Sequence, residues 1–254
     1  MSKYFNVIVK PTISVAALNA GNITSDEVLF DWHGFDIPKG AARLIGCTIL
    51  YNGKNGAKYT ATDFEVYWAK GDADGTAPAS LGDDGAVVDT FGWWNNIQGK
   101  MTVDSSDSAS AGDIIVGEVL SPQNVSMEGA AANSGWVGEL VLQGEPNSGD
   151  NVGFDKLYIG AIALGTHNWG PSTLTVDGTM VITSPTLTVA DVDALKAVGP
   201  GDILKDEDDN LLGTVKTVDS ATKITMKSNL ASASADDKLV FNTTPITFVL
   251  SFER

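Results

Sequence analysis

One cysteine, Cys47, serves the whole chain of 254 residues, so no disulfide can close within it. It sits in the apolar run 44–50 and reads as a small buried hydrophobe. Basic residues are also scarce: 16 Lys and Arg stand against 32 Asp and Glu, for a net charge of -16. Lys and Arg form no cluster, which argues against a reader of phosphate backbones. There are only two histidines, His33 and His167, and neither has a nearby Cys or His at ligand spacing. A His-based zinc site or a nucleophile–base pair is therefore absent at motif level, and both histidines read as structural or surface residues. No apolar run reaches the length of a membrane span. The N-terminal MSKYFNVIVKP is too short in its apolar part, and broken too early by Pro11, to look like a signal peptide, so synthesis in the cytoplasm is expected. The sequons at Asn22, Asn124 and Asn242 are then chance matches. Glycine is plentiful, but no glycine-rich turn leads into Lys-Ser/Thr, so no phosphate loop is present.

What the chain does have is an apolar fraction of 43%, enough for a core, and a repeated alternation of strand-forming residues. Strands are expected at 4–10, 27–37, 41–51, 64–70, 114–120, 136–143 and 157–164, with Gly34 marking a bulge in the second. In FEVYWAK, residues Phe64, Val66 and Trp68 fall on one face and Glu65, Tyr67 and Ala69 on the other. Asn52-Gly53 and Asn55-Gly56 read as turns. The small, acidic stretches 71–85 and 104–113 and the Gly/Ala/Asn-rich 129–135 read as surface loops. Helical periodicity is almost missing, which predicts an all-β fold, a jelly-roll-like β-sandwich.

Two late strands, 173–183 (TLTVDGTMVIT) and 245–252 (PITFVLSF), look like the arms of one hairpin interrupted by about sixty residues, and loop tips tolerate such insertions. The expected division is a host sandwich, 1–183 plus 245–254, and a small β-barrel-like module, 184–244, inserted near the C-terminus. Within the module Thr188 and Asp191 have capping-box spacing, and Val192, Leu195 and Val198 follow on one face of a short helix ended by Gly199-Pro200-Gly201. Strands at 202–205, 211–218, 223–227 and 239–241 come next, turned by DEDDN (206–210) and by DSAT (219–222).

This module carries a resemblance. Gly201-Asp202 before an apolar residue, the acidic turn, Leu212-Gly213-Thr214-Val215, and Asp219-Ser220-Ala221-Thr222 leading into Ile224 resemble a small β module in virion structural proteins of tailed bacteriophages, notably those of marine cyanobacteria. The likeness covers about a quarter of the chain and consists largely of hairpin grammar. It implies a place in the particle: a non-enzymatic decoration or cement protein on the outer head surface, with the major capsid protein or other virion proteins as partners, in a closed homo-oligomer such as a trimer. The alternatives are a neck, tail or fibre component and a carbohydrate-binding β-sandwich; an enzyme is the weakest reading.

Two features bear on ligands. Trp93 and Trp94, beside Phe91, are the candidate contacts: adjacent side chains on a strand face opposite ways, so one indole is expected in the core and the other at a subunit interface, in plain core or surface packing, or on a sugar-stacking platform. The loops at 206–210, 72–75 and 83–85 place carboxylates as calcium loops do, but Leu211 occupies the glycine position of an EF-hand loop and no bidentate Glu follows, so solvated turns are expected and no metal or cofactor.

Overall fold

The computed structural model describes residues 3–52, 62–72, 76–88, 91–105, 108–111, 114–120, 140–146, 153–169, 174–180, 182–190 and 194–254. The expected turn residues Gly53, Asn55 and Gly56, the loop 129–135 and the strand start 136–139 lie outside them.

The fold is all-β: a sandwich of two antiparallel sheets followed by a barrel-like module. The first sheet orders β1 (Tyr4–Val9), β17 (Ile246–Glu253), β3 (Ala42–Tyr51), β7 (Ile114–Leu120) and β6 (Ser108–Ala111), with β8 (Leu140–Leu142) also on β3. The second orders β2 (Val28–Pro38), β10 (Phe154–Ala163), β4 (Phe64–Lys70) and β5 (Ile97–Val103), with β9 (Glu145–Pro146) on β10. The inward faces meet in one core. Phe30 of β2 packs edge-on against Phe248 of β17 at 5.8 Å, and Tyr51 of β3 against Phe64 of β4 at 6.3 Å. Phe64, Val66 and Trp68 are fully buried, as their alternation predicts. The β2–β10 ladder is irregular between Ile159 and Ile162, opposite residues 28–33, whereas Gly34 pairs regularly with Tyr158; the expected bulge at Gly34 is displaced toward Trp32. Gly34 serves clearance instead, since a Cβ there would lie 3.1 Å from both Lys156 Cε and Tyr158 Cε1.

A short helix, α1 (Val15–Ala20), has no counterpart in the strand pattern. Ser14 caps it through Oγ, which accepts from the Ala17 amide, and Gly21 ends it at φ +99°.

The two late segments are not partners. β17 is central in the first sheet, between β1 and β3. The earlier segment contributes β11 (Thr175–Val176), which pairs with β12 (Thr186–Ala190). The third sheet then runs β11, β12, β15 (Lys223–Met226), β14 (Leu211–Ser220), β13 (Ile203–Asp206) and β16 (Val240–Asn242). Val176 N donates to Lys238 O and Val240 N to Leu174 O, so β16 returns against β11 and nearly closes a barrel. Leu174 and Val176 belong to the core of this barrel, with Leu187, Leu204, Leu212 and Ile224, so its sheet begins before Ser184. The capping-box reading also gives way: Thr188 is inside β12, paired with Lys223, and the helix α2 is the single turn Ala194–Ala197. Asp191 lies outside the described residues.

Candidate functional site

Where the barrel meets the sandwich, the chain buries a carboxylate. Gly201, at φ +88°, turns the backbone so that the Asp202 side chain, 0% exposed, faces the end of β1. Its Oδ1 takes a salt bridge from Lys10 Nζ at 2.5 Å. Its Oδ2 accepts from Gly199 N at 2.8 Å, from Asn242 Nδ2 at 2.7 Å and from Asn52 Nδ2. Lys10 also donates to Pro200 O at 3.1 Å. Lys10 and Asn52 belong to the sandwich, and Gly199 and Asn242 to the barrel, so one side chain clasps the two units. Burial pushes the Asp202 carboxyl above its ordinary value; the Lys10 ammonium and the hydrogen bonds pull the other way.

The clasp is backed by hydroxyls and by main chain. Ile203 N donates to Thr244 Oγ1, and Thr243 Oγ1 donates to Ile203 O, each at 3.0 Å. Ile13 N donates to Thr243 O at 2.7 Å, and Asn52 N to Pro245 O at 2.9 Å. Buried polar groups are tolerable when satisfied in this way, and they fix geometry because misalignment leaves them unpaired.

The other acidic residues do related work. Asp206, 1% exposed, accepts from the amides of Asp208 (3.1 Å) and Asn210 (2.9 Å) and from Asn210 Nδ2 (3.1 Å), so the DEDDN turn folds inward around its own first carboxylate. Asp84 accepts from the amides of Ser14 (2.7 Å) and Asp31 (3.1 Å), which ties α1 and β2 to the 80s loop; burial raises its carboxyl. The exposed Asp219 accepts from Thr217 Oγ1 and Thr225 Oγ1 across the β14–β15 hairpin. Among the described residues no group of three or more His, Cys, Asp or Glu side chains converges to hold a metal; Asp74 of the 72–75 loop lies outside them. Thermal melts with calcium and with chelator are therefore expected to coincide, because Asp206 already spends its oxygens on turn amides; a calcium-dependent rise in Tm would show that the turn opens to take the ion.

Of the candidate contacts, Trp93 is 4% exposed. The run Phe91–Asn96 is a 3-10 turn rather than a strand, and it drives Trp93 down onto the outer face of the second sheet. There it meets Trp32 at 6.2 Å and Tyr67 at 5.7 Å, both edge-on, beside Val28 and Leu81. Gly160 makes the room, since a Cβ there would lie 2.7 Å from Leu81 Cδ1 and 2.9 Å from Trp32 Cε3. Trp93 is thus interior packing, not a stacking platform. The side chains of Trp94 and Phe91 lie outside the described ones.

His167 is fully buried, stacked on Trp169 at 5.7 Å and edge-on to Phe64 at 5.6 Å. Its Nε2 lies 3.1 Å from Asp63 O, which can only accept, so Nε2 carries the proton of a neutral ring. Burial lowers its pKa to about 4, against an ordinary 6.5. The unfolded chain then binds the proton more readily. Its contribution is full above pH 6.5 and is lost as pH falls toward 4, by about 2 kcal/mol at pH 5. The loss between pH 8 and pH 5 should be smaller in His167→Phe than in the wild type by that amount, measured by urea denaturation; equal losses would place the acid sensitivity elsewhere. His33 is also lowered, by burial first and by Lys156 second. Cys47 is buried and its thiol is pushed up to about 12, so it is inert as a nucleophile.

The outward face of the first sheet differs from the rest of this acidic chain. Its described residues are Tyr4, Asn6 and Ile8 on β1, Thr247, Val249, Ser251 and Glu253 on β17, Arg43, Ile45, Thr48 and Leu50 on β3, and Val141 on β8. Only Arg43 and Glu253 are charged, and they pair with each other. Tyr4 Oη adds a hydrogen bond to Glu253 Oε1 at 3.0 Å. Over its described side chains the face carries no net charge and is rich in apolar and hydroxyl groups, suited to contact with another surface. No protein-family model, curated protein or solved structure matches the chain.

Proposed function

We propose that this chain is a structural protein of a tailed-phage particle, seated on the outside of the head and bridging capsid subunits. The observation that carries the reading is the neutral face of the first sheet on a chain of net charge -16, where the only described charges cancel each other. An acidic protein that must adhere to another acidic surface needs such a face, because apolar and backbone contacts can then supply the binding energy without charge attraction. The clasp at Asp202 supports a load-bearing role, since it joins sandwich and barrel through satisfied buried groups rather than through a loose linker. The resemblance of residues 201–228 to a virion module supplies the setting. A carbohydrate-binding reading draws no support from Trp93, which faces inward.

Imaging of labelled particles tests the location. The label should decorate the head surface at regular lattice positions. Label confined to the neck or tail would replace the clamp with a tail component, and unlabelled particles would overturn the virion reading altogether.

A further inference from the structure

We propose that β1 is a homotypic edge: two copies of this chain pair β1 to β1, antiparallel, about a two-fold axis through Asn6. The argument begins with hydrogen-bond parity. Lys3 N donates to Arg254 O at 3.1 Å and Arg254 N to Lys3 O at 2.9 Å, so Lys3 and Arg254 form a hydrogen-bonded pair. The β1–β17 register runs without a shift from Tyr4–Glu253 to Val9–Phe248. Antiparallel ladders alternate, so Phe5, Val7 and Val9 point their main-chain groups at β17, while those of Tyr4, Asn6 and Ile8 point off the edge. No described residue partners the N–H or C=O of these three. The same three carry the outward side chains of the strand, with Tyr4 69% and Ile8 68% exposed.

Edge strands are normally guarded by charge, proline or a bulge. YFNVIV has none of these, and six unguarded residues are enough to template another strand. A second copy fits best because of charge. Two bodies of net charge -16 can approach closely only where neither presents acid, and β1 has no Asp or Glu. The strand is also self-complementary. Centred on Asn6, the pairing sets Tyr4 opposite the partner's Ile8, Asn6 opposite the partner's Asn6, and Ile8 opposite the partner's Tyr4. All three are hydrogen-bonded pairs, and an aromatic residue faces a β-branched one on the exposed face. An isologous contact requires this reciprocity. Pairing would extend the first sheet into that of the partner and make one neutral face of two, which multiplies weak contacts to a repeating surface.

Analytical ultracentrifugation across a concentration series tests the proposal. Wild type should sediment as a dimer. Ile8→Lys and Asn6→Pro should sediment as monomers with unchanged circular dichroism, because both act on groups that face away from β17. As a check that does not depend on loss, Asn6→Cys should give a cross-linked dimer with a short bifunctional maleimide. Directly opposed hydrogen-bonded residues have Cα atoms about 5.5 Å apart, within the span of such a linker, and Cys47 is buried and silent. A wild type that stays monomeric would overturn the pairing. So would a dimer or trimer that survives both substitutions, or a monomer whose β1 instead takes up a strand of another protein.

Discussion

Asp202→Ala should destabilise the protein by about 3 kcal/mol, the low end of the cost of breaking a buried ion pair, because the remaining partner Lys10 is itself 23% exposed. The alanine would leave Asn52 Nδ2 and Gly199 N without that acceptor and take one of two acceptors from Lys10 Nζ and Asn242 Nδ2, which also donate to Pro200 O and Ala197 O. A loss of this size is a large part of the stability of an ordinary domain. It should also be uneven. The barrel keeps its own core around Leu187, Leu204 and Ile224, and the sandwich keeps Phe30 against Phe248, so what weakens is the join. Scanning calorimetry should show the barrel melting ahead of the sandwich in the variant. Asp202→Asn keeps one acceptor oxygen and the shape, so it should cost less. Lys10→Met should also cost less than Asp202→Ala, because three donors to the carboxylate remain. A double-mutant cycle between positions 10 and 202 should show clear coupling. Stability of Asp202→Ala within about 0.5 kcal/mol of wild type, the range of ordinary surface changes, would mean that the clasp does not join the units.

Trp93→Ala should cost about 3–5 kcal/mol, the usual range for emptying a buried aromatic site. The indole fills the small core between Trp32, Tyr67, Val28 and Leu81, and Trp32 itself is held by a 2.9 Å bond from Nε1 to Ala79 O. Removing Trp93 leaves a cavity under the 3-10 turn and frees the 80s loop from the sheet. The midpoint of urea denaturation should fall, with little change in slope. Glycan binding should be nil in wild type and variant alike. A stable Trp93→Ala protein that has lost a glycan response would restore the stacking-platform reading.

The strands were legible because alternation reports which face is buried. FEVYWAK reads correctly from sequence, and so do the module strands around Leu212, Val215 and Ile224. Alternation does not report the partner, which is why residues 173–183 and 245–252 looked like one hairpin. β17 pairs instead with β1, whose Tyr4 is 249 positions from Glu253, and nothing local encodes that contact. Thr188 and Asp191 satisfied capping-box spacing by coincidence, because a polar residue on the solvent side of a strand fits it equally well. α1 had a usable signal in Ser14, the Ala-Ala-Leu run and Gly21, but one and a half turns give no period to detect. The clasp was the least legible feature. Gly201-Asp202 reads as turn chemistry, and only the fold brings Lys10 to it across 192 positions. Trp93-Trp94 was legible in part: adjacency places one indole in the core, but which one depends on a tight turn that Gly92, Asn95 and Asn96 favour and that strand alternation does not describe.

The central claim, adhesion to a capsid through a neutral sheet face, is tested most directly by co-sedimentation with empty tailed-phage capsids across a salt series. Screening shortens the Debye length from about 10 Å at 0.1 M to about 3 Å at 1 M. It removes repulsion between two acidic bodies without weakening apolar contacts. Binding should therefore hold or strengthen as salt rises. Loss of capsid binding at high salt would contradict the claim, because it would show that charge attraction, and not the neutral face, holds the protein to the shell.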